Sequence, residues 1–172
     1  WSSDVCSSDL RFIDGVPTSQ GSAAFANAVL LSGRVQGDSH PCGHIGGVII
    51  PSAIAAAQDA NASGAALLSA MVAGYESALR IGRDHCADLS LRGFRTTPAY
   101  GVFGAAVATG RVRGFDGATL RNAIGLAANF AGGLREYVDA GTEESPFQAG
   151  FAARNGVYVA DLAGCGLKAT PT

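Results

Sequence analysis

About a third of this 172-residue chain is alanine or glycine, 32 of the first and 24 of the second. Backbones with so little side chain can approach one another closely, and alanine is the best helix former. The chain is therefore expected to be all-α, a bundle-like set of close-packed helices with small faces. Its length suits one domain and is too short for two good-sized ones. Hydrophobic residues make up 48% of it, which excludes a disordered chain. Charged residues make up only 15%, against roughly 25% in an ordinary soluble domain. That deficit suggests surface covered by another domain or subunit.

Periodicity places the helices. Ser22 to about Ser32 reads as one, with Phe25, Val29 and Leu30 on a face. A second runs from Val48 to about Asn61, with Pro51 tolerable only in its first turn. Ser63 caps a third, to about Asp84, with the stripe Leu67, Leu68, Met71, Val72, Tyr75 and Leu79. Pro98–Val112 is a fourth. Asp116 caps a fifth, to about Phe130, with Leu120, Ile124 and Ala127 inward. Gln148–Ala163 is the last, stopped by Gly164–Gly166. Three loops separate them, Gly33–Gly47, Cys86–Thr97 and Gly132–Phe147. No segment alternates with period two, so no strand is expected. Glycines inside the helices, at Gly74, Gly101, Gly104, Gly125 and Gly156, predict close helix–helix approach.

Several function classes drop out. The net charge of −2 gives no basic surface for nucleic acid. No apolar run approaches the roughly 20 residues a bilayer needs. The opening WSSDVCSSDL has neither a basic start nor an apolar core, so it is no secretory signal. Residues 1–11 read as a foreign or mis-assembled leader, leaving 12–172 as the domain. Cys6, Cys42, Cys86 and Cys165 are scattered without a CxxC pair, as expected of reduced thiols in the cytoplasm.

The chemistry is concentrated in the loops. The first holds Asp38-Ser39-His40-Pro41-Cys42-Gly43-His44, then a glycine pair opening a helix. Imidazole takes and gives protons near neutral pH, and a helix N-terminus favours an anion such as a carboxylate. Together they suit removal of a proton next to a carboxylate. A metal held by Asp38, His40, Cys42 and His44 is a rival reading, although that spacing matches no standard zinc pattern. A Cys42 nucleophile is another. A helix-entry turn with solvated histidines is the third. In the second loop, Arg95 beside Thr96 and Thr97 could clamp a carboxylate, or be a surface arginine. The third, with Arg135, Glu136, Tyr137, Asp139, Glu143 and Glu144, reads as a solvated or interface loop.

Six stretches carry a resemblance, in order: AAFANAVLLSGRVQGDSH, GHIGGVIIPSAIAAAQ, LLSAMVAGYESALRIG, RGFRTTPAYGVFGAAVATGRVRGFD, LRNAIGLAANFAGGLRE and FQAGFAARNGVYVADLA. From about Phe12 to Thr172 the chain resembles the N-terminal helical domain of the MmgE/PrpD family, which includes 2-methylcitrate dehydratase, cis-aconitate decarboxylase and iminodisuccinate epimerase. The resemblance implies an all-helical domain that pairs with a smaller α+β domain, in a chain more than twice this length. It implies a homodimer and an active site between the domains that uses no cofactor and no metal. It also implies dehydration, decarboxylation or epimerisation of a small di- or tricarboxylic acid. This chain is then a fragment, without the family's first helices and the second domain, and inactive alone.

Residue by residue, the resemblance matches His44 to the family's active-site histidine and Asp38-Ser39 to the end of its acidic turn, with Gly37 where the preceding acid stands. Arg95 takes the place of a loop histidine, and Ser145 that of the catalytic lysine. Lys168, the one lysine, lies past the last helix. The expected catalytic residues are His44, Asp38 and His40. Ser39, Arg95 and Thr96 are expected to bind substrate. The alternative is a non-catalytic helical scaffold or interaction module built on the same fold.

Overall fold

The structure, a computed structural model, describes residues 17–35 and 37–170. The leader read at residues 1–11 lies outside them. The described residues form an all-α domain of eight helices: α1 (Gln20–Gly33), α2 (Gly46–Asp59), α3 (Gly64–Gly82), α4 (Cys86–Leu91), α5 (Thr96–Val112), α6 (Gly117–Ala127), α7 (Tyr137–Ala140) and α8 (Ser145–Gly164). Ser19, Ser63 and Asp116 cap α1, α3 and α6, each side chain accepting a backbone N–H three residues on.

α5 is the axis of the domain. It carries no charge before Arg111 and is buried from Thr97 to Gly110 except at Phe103. A helix apolar all round must be enclosed, and α2, α3, α6 and α8 pack against it. The contacts run through small residues. A Cβ on Gly156 of α8 would fall 2.3 Å from the Ala105 Cβ of α5. A Cβ on Gly74 of α3 would fall 2.7 Å from the Gly104 carbonyl oxygen. Those glycines let the backbones touch.

The same economy corrects two expected core faces. α3 buries Ala70, Gly74, Ala78 and Gly82, while Leu68 and Val72 of the predicted stripe are exposed. α1 buries Ala23, Ala24 and Ala28, and Leu30 is exposed. Where helices approach this closely, the smallest residues take the contact and the large ones flank it.

The loops also hold more structure than expected. The short α4 lies inside the second and α7 inside the third. α8 begins at Ser145, with Pro146 in its first turn, rather than at Gln148. α2 begins at Gly46, so Pro51 sits in its interior instead of its first turn. Ser52, fully buried, donates to the Val48 and Ala153 carbonyls there, at 2.8 and 3.2 Å.

Candidate active site

The N-termini of α2 and α5 lie side by side, and the residues just before them carry the site. His44 precedes α2, and Arg95 is the N-cap of α5. The His44 N–H donates to Thr97 Oγ1 at 3.0 Å, which ties the first loop to the start of α5. Thr97 is 2% exposed. Gly43, at φ +102°, turns the chain so tightly against it that a Cβ would fall 2.5 Å from Thr97 Oγ1.

The second and third loops are joined by backbone. The Arg95 N–H donates to the Gly133 carbonyl and the Arg135 N–H to the Gly93 carbonyl, both at 2.9 Å. This bridge brings Tyr137 and Ser145 to Arg95. The guanidinium lies over the Tyr137 ring, 5.5 Å from its centroid, and Nη1 donates to the Ser145 carbonyl oxygen. Arg95 is half-buried, and no carboxylate among the described residues pairs with it. Burial pulls its guanidinium below the ordinary value, opposed by the charge interaction with Tyr137.

His44 and Arg95 line the same space. One cavity of about 160 Å³ is bounded by both together with Ser32, Gly37, Tyr137 and Ser145. An adjoining one of about 180 Å³ has His44, Arg95 and Tyr137 again, with Thr96, Thr97 and Arg135. His44 Nδ1 lies 2.6 Å from the Asp38 carbonyl oxygen. A carbonyl only accepts, so Nδ1 carries the hydrogen and Nε2 is the basic nitrogen.

The other predicted residues are placed differently. The Asp38 carboxylate accepts the Gly46 N–H, with both oxygens at 3.1 Å, and so caps α2. Thr96 reaches the second cavity. His40 and Ser39 line neither, and His40 Nδ1 accepts the Cys42 N–H at 3.1 Å. Cys42 is fully buried, in a core cluster with Cys86 and Tyr100. Burial, with the neighbouring Cys86 thiol, pushes its pKa up to about 11, the opposite of an activated nucleophile. No three His, Cys, Asp or Glu side chains among the described residues are grouped to hold a metal. Two residues of the site escaped the sequence. Tyr137, an aromatic in an otherwise charged loop, gave a weak signal. Tyr75 was read as part of an apolar stripe, yet its hydroxyl lies against the Asp38 carboxylate. Burial first, then that carboxylate, pushes the phenol up to about 12.

A larger cavity of about 600 Å³ opens elsewhere, beside Gln20, Arg113, Phe130 and Tyr158. None of the predicted residues lines it, and its Arg113 is already paired with Asp161 at 2.7 Å. Among the described residues no helix is long and apolar enough to cross a membrane.

Comparison with known proteins identifies the family. The family signature described as MmgE/PrpD N-terminal domain matches residues 12–172. A cis-aconitate decarboxylase-like protein, oryM, of Aspergillus oryzae is 32% identical over 151 residues, covering 82% of this chain. A cis-aconitate decarboxylase of Aspergillus terreus is 31% identical over 155 residues, covering 86%. The chain spans 31% of the length of each of these relatives.

Proposed function

This chain belongs to the MmgE/PrpD family, and from that premise we propose that it is the helical part of a lyase-type enzyme acting on a small di- or tricarboxylic acid. The reaction class is proton transfer next to a carboxylate, leading to dehydration, decarboxylation or epimerisation. The observation that carries the reading is Arg95, a half-buried cation with no acidic partner among the described residues, on the same cavity as His44. A buried charge needs a partner, and a substrate carboxylate supplies one.

In this reading Arg95 holds a carboxylate by charge-assisted hydrogen bonds. His44 Nε2 takes the proton from the adjacent carbon. Negative charge then builds on the carboxylate oxygens as the enolate forms, and the guanidinium offsets it. One such donor is worth about 3–4 kcal/mol in oxyanion-type sites. Arginine stays protonated throughout, so it gives charge and no proton. Thr96 offers a hydroxyl to the same substrate. His40 and Ser39 stand outside both cavities and receive no role.

The reading extends to the rest of the polypeptide. A second, α+β domain closes the site, the enzyme is a cytoplasmic homodimer, and the reaction uses neither metal nor cofactor. The family likeness supports the second domain, the dimer and the metal- and cofactor-free reaction, and the cysteines, unpaired among the described residues, support the compartment.

The test is α-carbon proton exchange in deuterated buffer, with the full-length protein and a panel of small di- and tricarboxylic acids that includes cis-aconitate. Exchange or turnover of at least one acid, lost in His44→Gln and in Arg95→Leu, is the expected result. A protein that exchanges none of them is a scaffold.

A further inference from the structure

We propose that Asp38 and Tyr75 are positioning residues that decide which nitrogen of His44 is basic. The proposal rests on the reading of His44 as the base. Asp38 acts through two different groups at once. Its carboxylate holds the first N–H of α2, at Gly46, and its own backbone carbonyl takes the Nδ1–H of His44 at 2.6 Å. The cap residue of α2 is Ile45, which has no side-chain oxygen. The cap therefore comes from Asp38, eight positions before Gly46. A simple helix cap would end there. Here the anchored residue also presents the carbonyl that orients the imidazole.

Tyr75 completes the anchor from α3. Its hydroxyl and the Asp38 carboxylate meet over Gly46, where a Cβ would lie 2.0 Å from Tyr75 Oη and 2.7 Å from Asp38 Oδ1. Only glycine leaves room for both. The phenol, held protonated by burial and by Asp38, stays a donor at any physiological pH. Two helices, α2 through Gly46 and α3 through Tyr75, thus lock Asp38, and Asp38 locks His44. Without the lock an imidazole exchanges between tautomers, and the one with hydrogen on Nε2 cannot accept a proton there.

The experiment is imidazole 15N–1H correlation spectroscopy of the histidine-labelled full-length protein, with His44 assigned by the signal lost in His44→Gln. Wild-type His44 is expected with hydrogen on Nδ1. Asp38→Ala should shift it to a tautomer mixture, and Tyr75→Phe should shift it less, in the same direction. Asp38→Asn, which still accepts from Gly46, should restore the wild-type pattern. In turnover, kcat of Asp38→Ala should fall on the order of tenfold while KM moves little, as when a group orienting a histidine is removed. Should Asp38→Ala fail to fold, Tyr75→Phe, one oxygen smaller, decides. A His44 that keeps hydrogen on Nδ1 in every folded variant overturns the proposal. A tautomer that shifts as expected in a protein that turns over no acid upholds the positioning and removes the enzymatic reading.

Discussion

The backbone N–H of His44 donates to the Thr97 hydroxyl at 3.0 Å, between residues 53 positions apart. One half-buried bond, made to the buried Thr97 hydroxyl, fixes the first loop to the central helix. Thr97→Val keeps the shape and removes the acceptor, leaving the N–H unpaired. It should cost about 1–3 kcal/mol, read as a lower urea midpoint at unchanged m. Thr97→Ser should keep most of that stability.

Arg95→Leu should raise KM for the acid about 10- to 100-fold, the range of a charge-assisted hydrogen bond, and also lower kcat, because the enolate loses its counter-charge. Arg95→Lys restores the charge but loses the planar stack on Tyr137 and the forked geometry, so it should recover only part. Initial-rate kinetics on the full-length protein would show it. Equal KM values in all three proteins would remove the carboxylate from Arg95.

His44→Gln should act on the chemical step. Loss of a general base lowers kcat about 10²- to 10⁴-fold, with KM little affected. Solvent deuterium uptake into the acid, followed by mass spectrometry, checks it independently of product formation.

Two glycines should respond with opposite sign. Gly156→Ala puts a methyl 2.3 Å from Ala105 Cβ, against backbone, and should cost about 1–3 kcal/mol by overpacking. Gly64→Ala, in the first turn of α3 with open space around it, should stabilise by up to about 1 kcal/mol. Denaturation midpoints of the two variants measure both.

Alkali should destabilise the fold. The Cys42 thiol moves from 9.0 unfolded to about 11 folded, and the Tyr75 phenol from 10.0 to about 12. Both folded values are raised, so the unfolded chain sheds these protons first. The stability they supply is whole below pH 9 and is lost progressively between pH 9 and 12, as each group passes from its unfolded to its folded value. A pH series of denaturation midpoints should decline over that window, and less steeply in Cys42→Ala.

Local signals were legible in the sequence. Ser63 and Asp116 read as caps because capping needs only the few residues beside them. Leu30 of α1 and Leu68 and Val72 of α3 misled, because periodicity weighs large apolar residues and these helices meet through alanine and glycine, while Leu67, Met71, Tyr75 and Leu79 do flank the core. His44 and Arg95 could be picked out by chemistry, each beside a helix start. Tyr137 could not, since its place over Arg95 depends on backbone pairing between Phe94 and Leu134, forty residues apart in the chain. Asp38 was expected among the catalytic residues, and its bond to Gly46 depends on how the first loop folds back. Only the assembled fold shows such relations.

The sheath around α5 has a consequence for how such a protein diversifies. With methyl groups and bare backbone already in contact on every side of that helix, the frame has no slack in which to adapt. On the proposed reading, a change of preferred acid would therefore be written in the connecting segments that carry His44, Arg95 and Tyr137. Those can drift while the scaffold beneath them stays fixed.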